Sequence, residues 1–438
     1  MPTKIAMIGA GSVVFLKNLL TDILDFAELR DVEITLHDIN AERLETAGMM
    51  ARWTAKQFKA SPKITECADR KQALDGCDFV INMVQIGMHP ATLIDFDIPR
   101  RYGLKQTIAD TAGIGGIFRG LRTIPFMLDM VAEMRALCPK AVLLNYTNPM
   151  SILTRAVYDA YPEQAVVGLC HNVQFTARDL AEYLGVPLEK LTYRCGGINH
   201  MCWFLDLAID GEDAYPRLFE AMNTPEIFAK DKVRFELMRW FGRFVSESSE
   251  HNAEYSGYFL KRDDQIAAFD VPIDDYIRRS ERNLNRYAET RRKLLAGESF
   301  PIQRSVEYGS LIIHALVTGQ PRIIYGNVRN DGLIDNLPDG CCVEVPVLVD
   351  RHGLQPVRVG ALPAELAGYC APHTYSQEVV VRAALEGNRD LVYRAALLDP
   401  QIATGLSVGE IGRLVDEMID AHAASMPKGI VAASRHAG

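Results

Sequence analysis

A chain of 438 residues, 48% of them apolar and 24% charged, has the composition of a soluble globular protein. Its length allows roughly two or three domain-sized units, each with its own core. The net charge of −9 argues against broad binding to nucleic acid or to an anionic membrane, and favours a small polar substrate or another subunit as partner.

Residues 3–8 are a short apolar run without alternation, which predicts a buried parallel strand. Gly9-Ala10-Gly11-Ser12 is the turn that follows, and Phe15 to Phe26 has the apolar spacing of a helix. Val32 to Asp38 predicts a second strand ending in an acid, which completes a βαβ unit. More strands are predicted over 78–84, 141–146 and 166–169, with a helix over 121–137 among the segments between them. This alternation implies an α/β fold, a Rossmann-like doubly wound parallel sheet to about residue 190. Beyond it, 203–209 alternates like an antiparallel strand, 270–296 is charge-rich and helical, 340–349 is strand-like, and the chain from Val380 onward is mostly helical. The expected division is an NAD-binding domain over 1–195 and an α+β domain over 196–438 that covers its mouth, with the substrate, metal and subunit contacts.

No run of about 18 apolar residues marks a membrane span. The apolar stretch at the N-terminus is too short for a secretory signal and runs straight into a glycine turn. Nine cysteines without a framework spacing predict reduced thiols and a cytoplasmic location.

Gly9 and Gly11 allow a tight turn in which backbone N–H groups approach a pyrophosphate at a helix N-terminus, and Ser12 completes that turn. Asp38 stands where a carboxylate accepts hydrogen bonds from ribose hydroxyls, which favours NAD over NADP. The third glycine of the fingerprint is replaced by Val14. Cys170-His171 follows a buried strand and so lies at the carboxyl edge of the sheet, where open α/β folds bind ligands. His200, after Gly196-Gly197-Ile198-Asn199, can close on the same cleft. A thiolate and an imidazole with open positions suit a divalent metal that also holds substrate hydroxyls. A buried cysteine beside a solvated histidine is the plainer alternative for this pair.

Several longer motifs carry a specific likeness. They include Gln106 to Thr111, Leu121 to Pro125, Leu144 to Met150, Gly168 to His171, Gly197 to Met201, Ser246 to His251 and Tyr325 to Pro338. On these the sequence resembles glycoside hydrolase family four, and within it the α-galactosidases, nearly end to end. The resemblance implies a fold similar to lactate and malate dehydrogenases, NAD, a divalent ion (usually Mn²⁺), reducing conditions, and a homodimer or homotetramer. It also implies a glycosidase route outside the usual two-carboxylate mechanism. Hydride passes from sugar C3 to NAD, and the new ketone acidifies the C2 proton. A base removes that proton, the enediolate is stabilised by the metal, and the glycosidic oxygen departs from C1. Water then adds and the hydride returns, with no net redox change.

By position in this resemblance, Cys170 and His200 are the metal ligands and Tyr255 is the base at C2, with Tyr258 close by in sequence. His171 stands where relatives protonate the leaving oxygen, and Asp110 is the alternative acid. Asn148 is expected to position the sugar, and Arg119 or Arg122 to contact substrate or a carboxylate. Glu250-His251 supports the Tyr255 loop or, less simply, holds a second metal. The usual Cys-His-Ser-Val pattern is here Cys170-His171-Asn172-Val173, which is expected to add bulk and a donor to the cleft. Alternative substrates are an α-galacturonide, α-glucuronide or α-glucoside, the uronides being marked by an extra arginine for the C6 carboxylate. A dehydrogenase with net NAD reduction and a non-catalytic NAD sensor are the competing classes.

Overall fold

The computed structural model describes residues 2–433. Its twelve strands are β1 (Lys4–Ile8), β2 (Glu33–His37), β3 (Lys63–Cys67), β4 (Phe79–Asn82), β5 (Val142–Asn145), β6 (Val166–Gly168), β7 (Leu191–Ile198), β8 (Met201–Ile209), β9 (Glu212–Asp213), β10 (Arg322–Arg329), β11 (Cys342–Asp350) and β12 (Gly353–Pro356). They form one sheet in the order β3-β2-β1-β4-β5-β6-β10-β11-β7-β8-β9, with β12 paired to β11. The first six are parallel, as the βα alternation predicts, and the rest join antiparallel.

Successive residues of β1 serve opposite faces, which is why the strand reads as an unbroken apolar run. Ile5 and Met7 join one core, with Leu16, Leu19 and Leu36, while Ala6 and Ile8 join the other, with Phe118, Leu143 and Leu153. Each face is therefore covered by helices, as a parallel sheet requires. The charge-rich helix Asp275–Leu295 buries only Thr290, so its polar composition is that of a solvated surface.

The sheet does not stop where the βα alternation ends. β10 docks antiparallel on β6, with Asn327 opposite Gly168, and β11 places Glu344 opposite Gly197 of β7. β7 itself runs across residue 195. Among the C-terminal helices, Ala364–Glu386 and Val408–His422 contribute Val380, Val381, Leu414 and Met418 to the core that contains Ile8 and Phe118. The end of the chain thus returns to the first half of the sheet. No helix among the described residues is long and apolar enough to cross a membrane.

Candidate active site

The turn after β1 is built as its glycines require. Gly9 has φ +85°, and a Cβ there would lie 2.9 Å from Val84 Cγ1. At Gly11 a Cβ would meet Asp38 Oδ2 at 2.4 Å, so only glycine lets the acid approach the turn. Asp38 Oδ2 accepts the Gly11 N–H at 2.9 Å. Ser12 precedes the helix Val13–Asp25 without capping it, so the first N–H groups of a thirteen-residue helix face the turn free of a side-chain acceptor. That is the geometry of a pyrophosphate site. Ile39, 95% exposed beside Asp38, adds an apolar surface that the sequence reading did not single out.

The second constellation gathers from three places. Cys170 follows β6, and His200 occupies the two-residue turn joining β7 to β8, at φ +63°. Gly196-Gly197-Ile198, read from sequence as the turn, is instead the end of β7. A Cβ at Gly197 would meet the Met201 carbonyl at 2.2 Å, so glycine is what permits the tight hairpin. Cys170 Sγ lies 3.4 Å from His200 Nε2. Glu247 completes the group, its Oε2 at 3.9 Å from Cys170 Sγ and 3.6 Å from His200 Nε2. Donors around one shared ion at bond lengths of about 2.0–2.3 Å stand about 3–4 Å apart, so the three fit a divalent metal. Burial holds the His200 imidazole down at about 4, hence neutral and able to ligate. Burial, with Glu247 nearby, pushes the Cys170 thiol well up, and a bound cation would reverse that balance.

Glu247 is the site residue that sequence reasoning missed. It sits within the Ser246 to His251 motif but was given no role there. Glu250 turns elsewhere, to Arg279 at 3.3 Å. His251 does not form a second metal site among the described residues. It bridges two acids instead, with Nδ1 at 3.1 Å from Glu247 Oε1 and Nε2 at 3.7 Å from Asp110 Oδ1. Burial opposes a charged His251, but the two carboxylates outweigh it and raise its pKa well above the usual value. The same contacts overcome burial at Asp110 and Glu247 and hold both carboxyls well below their usual range.

Tyr255 and Tyr258 are separated by exposure: Tyr255 is 2% exposed and Tyr258 64%. The Tyr255 ring lies 6.4 Å from that of His200, and its buried hydroxyl has no hydrogen-bond partner among the described residues. Asn148 Nδ2 donates to Asp110 Oδ2 at 3.1 Å. Arg119 backs this pair, donating to the Asn148 carbonyl at 3.2 Å and to the Tyr276 hydroxyl at 3.2 Å. Arg122 is engaged in a two-pronged pair with Asp95, at 2.9 and 2.6 Å. His171 is exposed, with Nδ1 3.4 Å from Glu307 Oε1, an acid not singled out from the sequence. Although one edge of the ring is open to solvent, the protein packed around the rest opposes protonation of His171, yet Glu307, with Glu247 behind it, outweighs that and the pKa rises above its ordinary value.

Asn172 does not add its donor to the cleft. It is wholly buried, and Nδ2 is given to Glu344 Oε2 at 2.8 Å and Ser246 Oγ at 3.0 Å. As the first residue of the helix Asn172–Leu184 it turns into the protein while His171 turns out.

The Family 4 glycosyl hydrolase description matches residues 4–186, and the Family 4 glycosyl hydrolase C-terminal domain matches residues 195–402. An α-galactosidase of Bacillus subtilis (strain 168) is 42% identical over 429 residues, covering 97% of this chain and 99% of the relative. An α-galactosidase of Rhizobium meliloti (strain 1021) is 36% identical, covering 97% and 89%. Among solved structures, a 6-phospho-α-glucosidase from gut microorganisms, in complex with NAD and Mn²⁺, superimposes with a TM-score of 0.80 at 21% identity, covering 98% and 99%.

Proposed function

The chain belongs to the family 4 glycosyl hydrolases, and from that premise we propose that it hydrolyses α-galactosides with NAD and Mn²⁺ as cofactors. The observation that carries the reading is the convergence of Cys170, His200 and Glu247 beside the unpartnered hydroxyl of Tyr255. When bound, NAD would take and return hydride at sugar C3, and the divalent ion would polarise the oxygens on C2 and C3.

The chain's own residues supply the rest. Gly9, Gly11, Ser12 and Asp38 would hold the dinucleotide, and Cys170, His200 and Glu247 would hold the ion. Tyr255, whose hydroxyl has no hydrogen-bond partner among the described residues, would take the proton from C2 as a phenolate; burial raises its pKa, and a bound cation nearby would reverse that balance. His171, whose protonated form Glu307 favours, gives its proton to the glycosidic oxygen as the C1–O bond breaks. Asp110 stays ionised and, with Asn148 held by Arg119, orients the sugar hydroxyls. The chain up to about residue 195 carries the dinucleotide turn and Cys170, and the part after it brings His200, Glu247 and Tyr255.

A neutral galactoside is favoured over a uronide. The relatives at 42% and 36% identity are α-galactosidases. Both arginines considered for a C6 carboxylate are engaged within the protein, Arg122 by Asp95 and Arg119 by Asn148 and Tyr276. All nine cysteines are free and a buried thiol serves as ligand, which supports a reducing, cytoplasmic setting. Large apolar side chains left exposed at Val317 and Ile323 support a homodimer or homotetramer as the working form.

The test is release of p-nitrophenol from its α-galactoside by chelator-stripped protein, given NAD, Mn²⁺ and a thiol reductant singly and together. Release only with all three, and without accumulating NADH, is the expected result. Steady NADH formation would instead make the protein a dehydrogenase, and cleavage of only an α-galacturonide or α-glucoside would move the substrate.

A further inference from the structure

Two of the three converging donors come from distant segments, Cys170 after β6 and Glu247 in the turn before the helix Ser249–Glu254. Glu247 has φ +78°, a left-handed conformation that a non-glycine residue keeps only where its surroundings over-determine it. The surroundings here are the first turns of the helix Asn172–Leu184. Asn172 Nδ2 donates to Ser246 Oγ at 3.0 Å, and Thr176 Oγ1 accepts the Glu247 N–H at 3.1 Å. The helix that starts two residues after Cys170 therefore grips the turn that carries Glu247.

Asn172 is aimed by a third party. Glu344, on the central strand β11, accepts from Asn172 Nδ2 at 2.8 Å through Oε2. Its Oε1 faces Asn327 Nδ2 at 3.4 Å, on the strand that docks against β6. Asn172, Ser246, Asn327 and Glu344 all have no solvent exposure. We propose that Glu344 is a positioning residue for the metal centre: through Asn172 it fixes the helix start that bears Cys170 against the turn that bears Glu247. This rests on the metal centre proposed above. No hydrogen bond joins Glu344 to Cys170, His200 or Glu247 among the described residues, so its positioning effect passes through the Asn172 amide. Burial pushes its carboxyl up to about 8, so a neutral side chain of the same shape can replace it.

The test uses the full chain saturated with NAD, in the parent and in E344Q, E344L and N172A. Free Mn²⁺ is followed by electron paramagnetic resonance, alongside NAD affinity and thermal unfolding of the metal-free protein. Outer-shell partners of metal ligands are worth about 10–100-fold in affinity, so E344L and N172A should weaken Mn²⁺ by that factor while NAD affinity holds. E344Q keeps an acceptor for Asn172 and should stay within about threefold of the parent. Unchanged Mn²⁺ affinity in E344L and N172A overturns the proposal, as does a parallel loss of NAD affinity, which marks general loosening. Should E344L not fold, N172A carries the test alone. A parent that binds no Mn²⁺ refutes the metal centre and this inference with it, whereas a tight parent with indifferent variants refutes only the role of Glu344.

Discussion

Glu254 Oε1 accepts a hydrogen bond from the Thr107 N–H at 2.6 Å, across 147 positions of sequence. The N–H groups of Ile108 and Ala109 converge on the same carboxylate at 3.0 and 3.1 Å. The next residue on one side is Tyr255 and on the other Asp110, so a single buried side chain locks the expected base against the acid that orients the sugar. Glu254→Ala leaves three buried donors unsatisfied. At about 1–3 kcal/mol each, it should lower unfolding free energy by about 3 kcal/mol or more, read by urea denaturation. An unchanged urea midpoint would mean that the loop finds other acceptors.

Tyr255→Phe separates catalysis from stability. The hydroxyl has no partner among the described residues, so removing it should leave thermal stability unchanged or slightly raised. A lost general base costs about 10²–10⁴-fold in turnover. Hydrolysis should fall by that factor while NAD and Mn²⁺ affinities hold, and incorporation of solvent deuterium at C2 of the sugar should slow in parallel. Activity within a few-fold of the parent would remove Tyr255 from the chemistry.

Asp38 governs which dinucleotide enters. Its carboxylate sits 2.9 Å from the Gly11 N–H, where a 2′-phosphate would be repelled, while Arg43 is already beside the turn, donating to the Gly11 carbonyl at 3.0 Å. Asp38→Ser replaces the carboxylate with a neutral hydroxyl that can still meet the ribose, so Arg43 becomes available to a phosphate. The ratio of NADP to NAD affinity should rise by about tenfold or more, about 1.4 kcal/mol, in a titration of both cofactors. No change in that ratio would mean that the pocket excludes the phosphate sterically.

Glu307 sets the pH range. His171 must carry a proton to donate it, and Glu307 overcomes the burial that opposes that charge. Since the pKa is raised, the acid form survives to higher pH, and it is lost as pH climbs through that raised value. Glu307→Gln removes the stronger of the two carboxylates that favour the charged ring and leaves only Glu247 to oppose desolvation. The basic limb of kcat/KM should then move to lower pH, with about tenfold loss on the alkaline side and little loss on the acid side. The shift should be larger for melibiose than for the p-nitrophenyl substrate, whose leaving group needs less protonation. An unmoved limb would assign the proton to another group, with Asp110 excluded if it remains ionised.

The first half of the fold was legible because its signals are local. The run before Gly9, the acid after β2 and the strand before Cys170 each declare an element within a dozen residues. His200 was legible for its chemistry but not for its setting, since Gly197 serves a strand end and not a loop. Glu247 was hidden among the like residues of Ser246 to His251, and what selects it over Glu250 is the contact of its backbone with Thr176, 71 positions earlier. The Asn172 side chain was placed in the cleft because its neighbours face there. Its true partner, Glu344, is 172 positions away, and no spacing in the sequence pairs them. The continuity of the sheet through β10 and β11 was equally invisible, because strand neighbours are decided by docking.

That continuity has a price for any attempt to divide the molecule. β6 finds its outer neighbour in β10, which the chain reaches only after more than half its length has been made. A fragment ending near residue 195 would carry β6 as a bare edge, with its N–H and C=O groups open to any passing strand. The fragment would also lack Val380, Leu414 and their neighbours over Phe118, leaving an apolar sheet face uncovered. Expressed alone, such a half should aggregate, and mixing it with its complement should restore solubility only if β10 reaches β6 before another edge does.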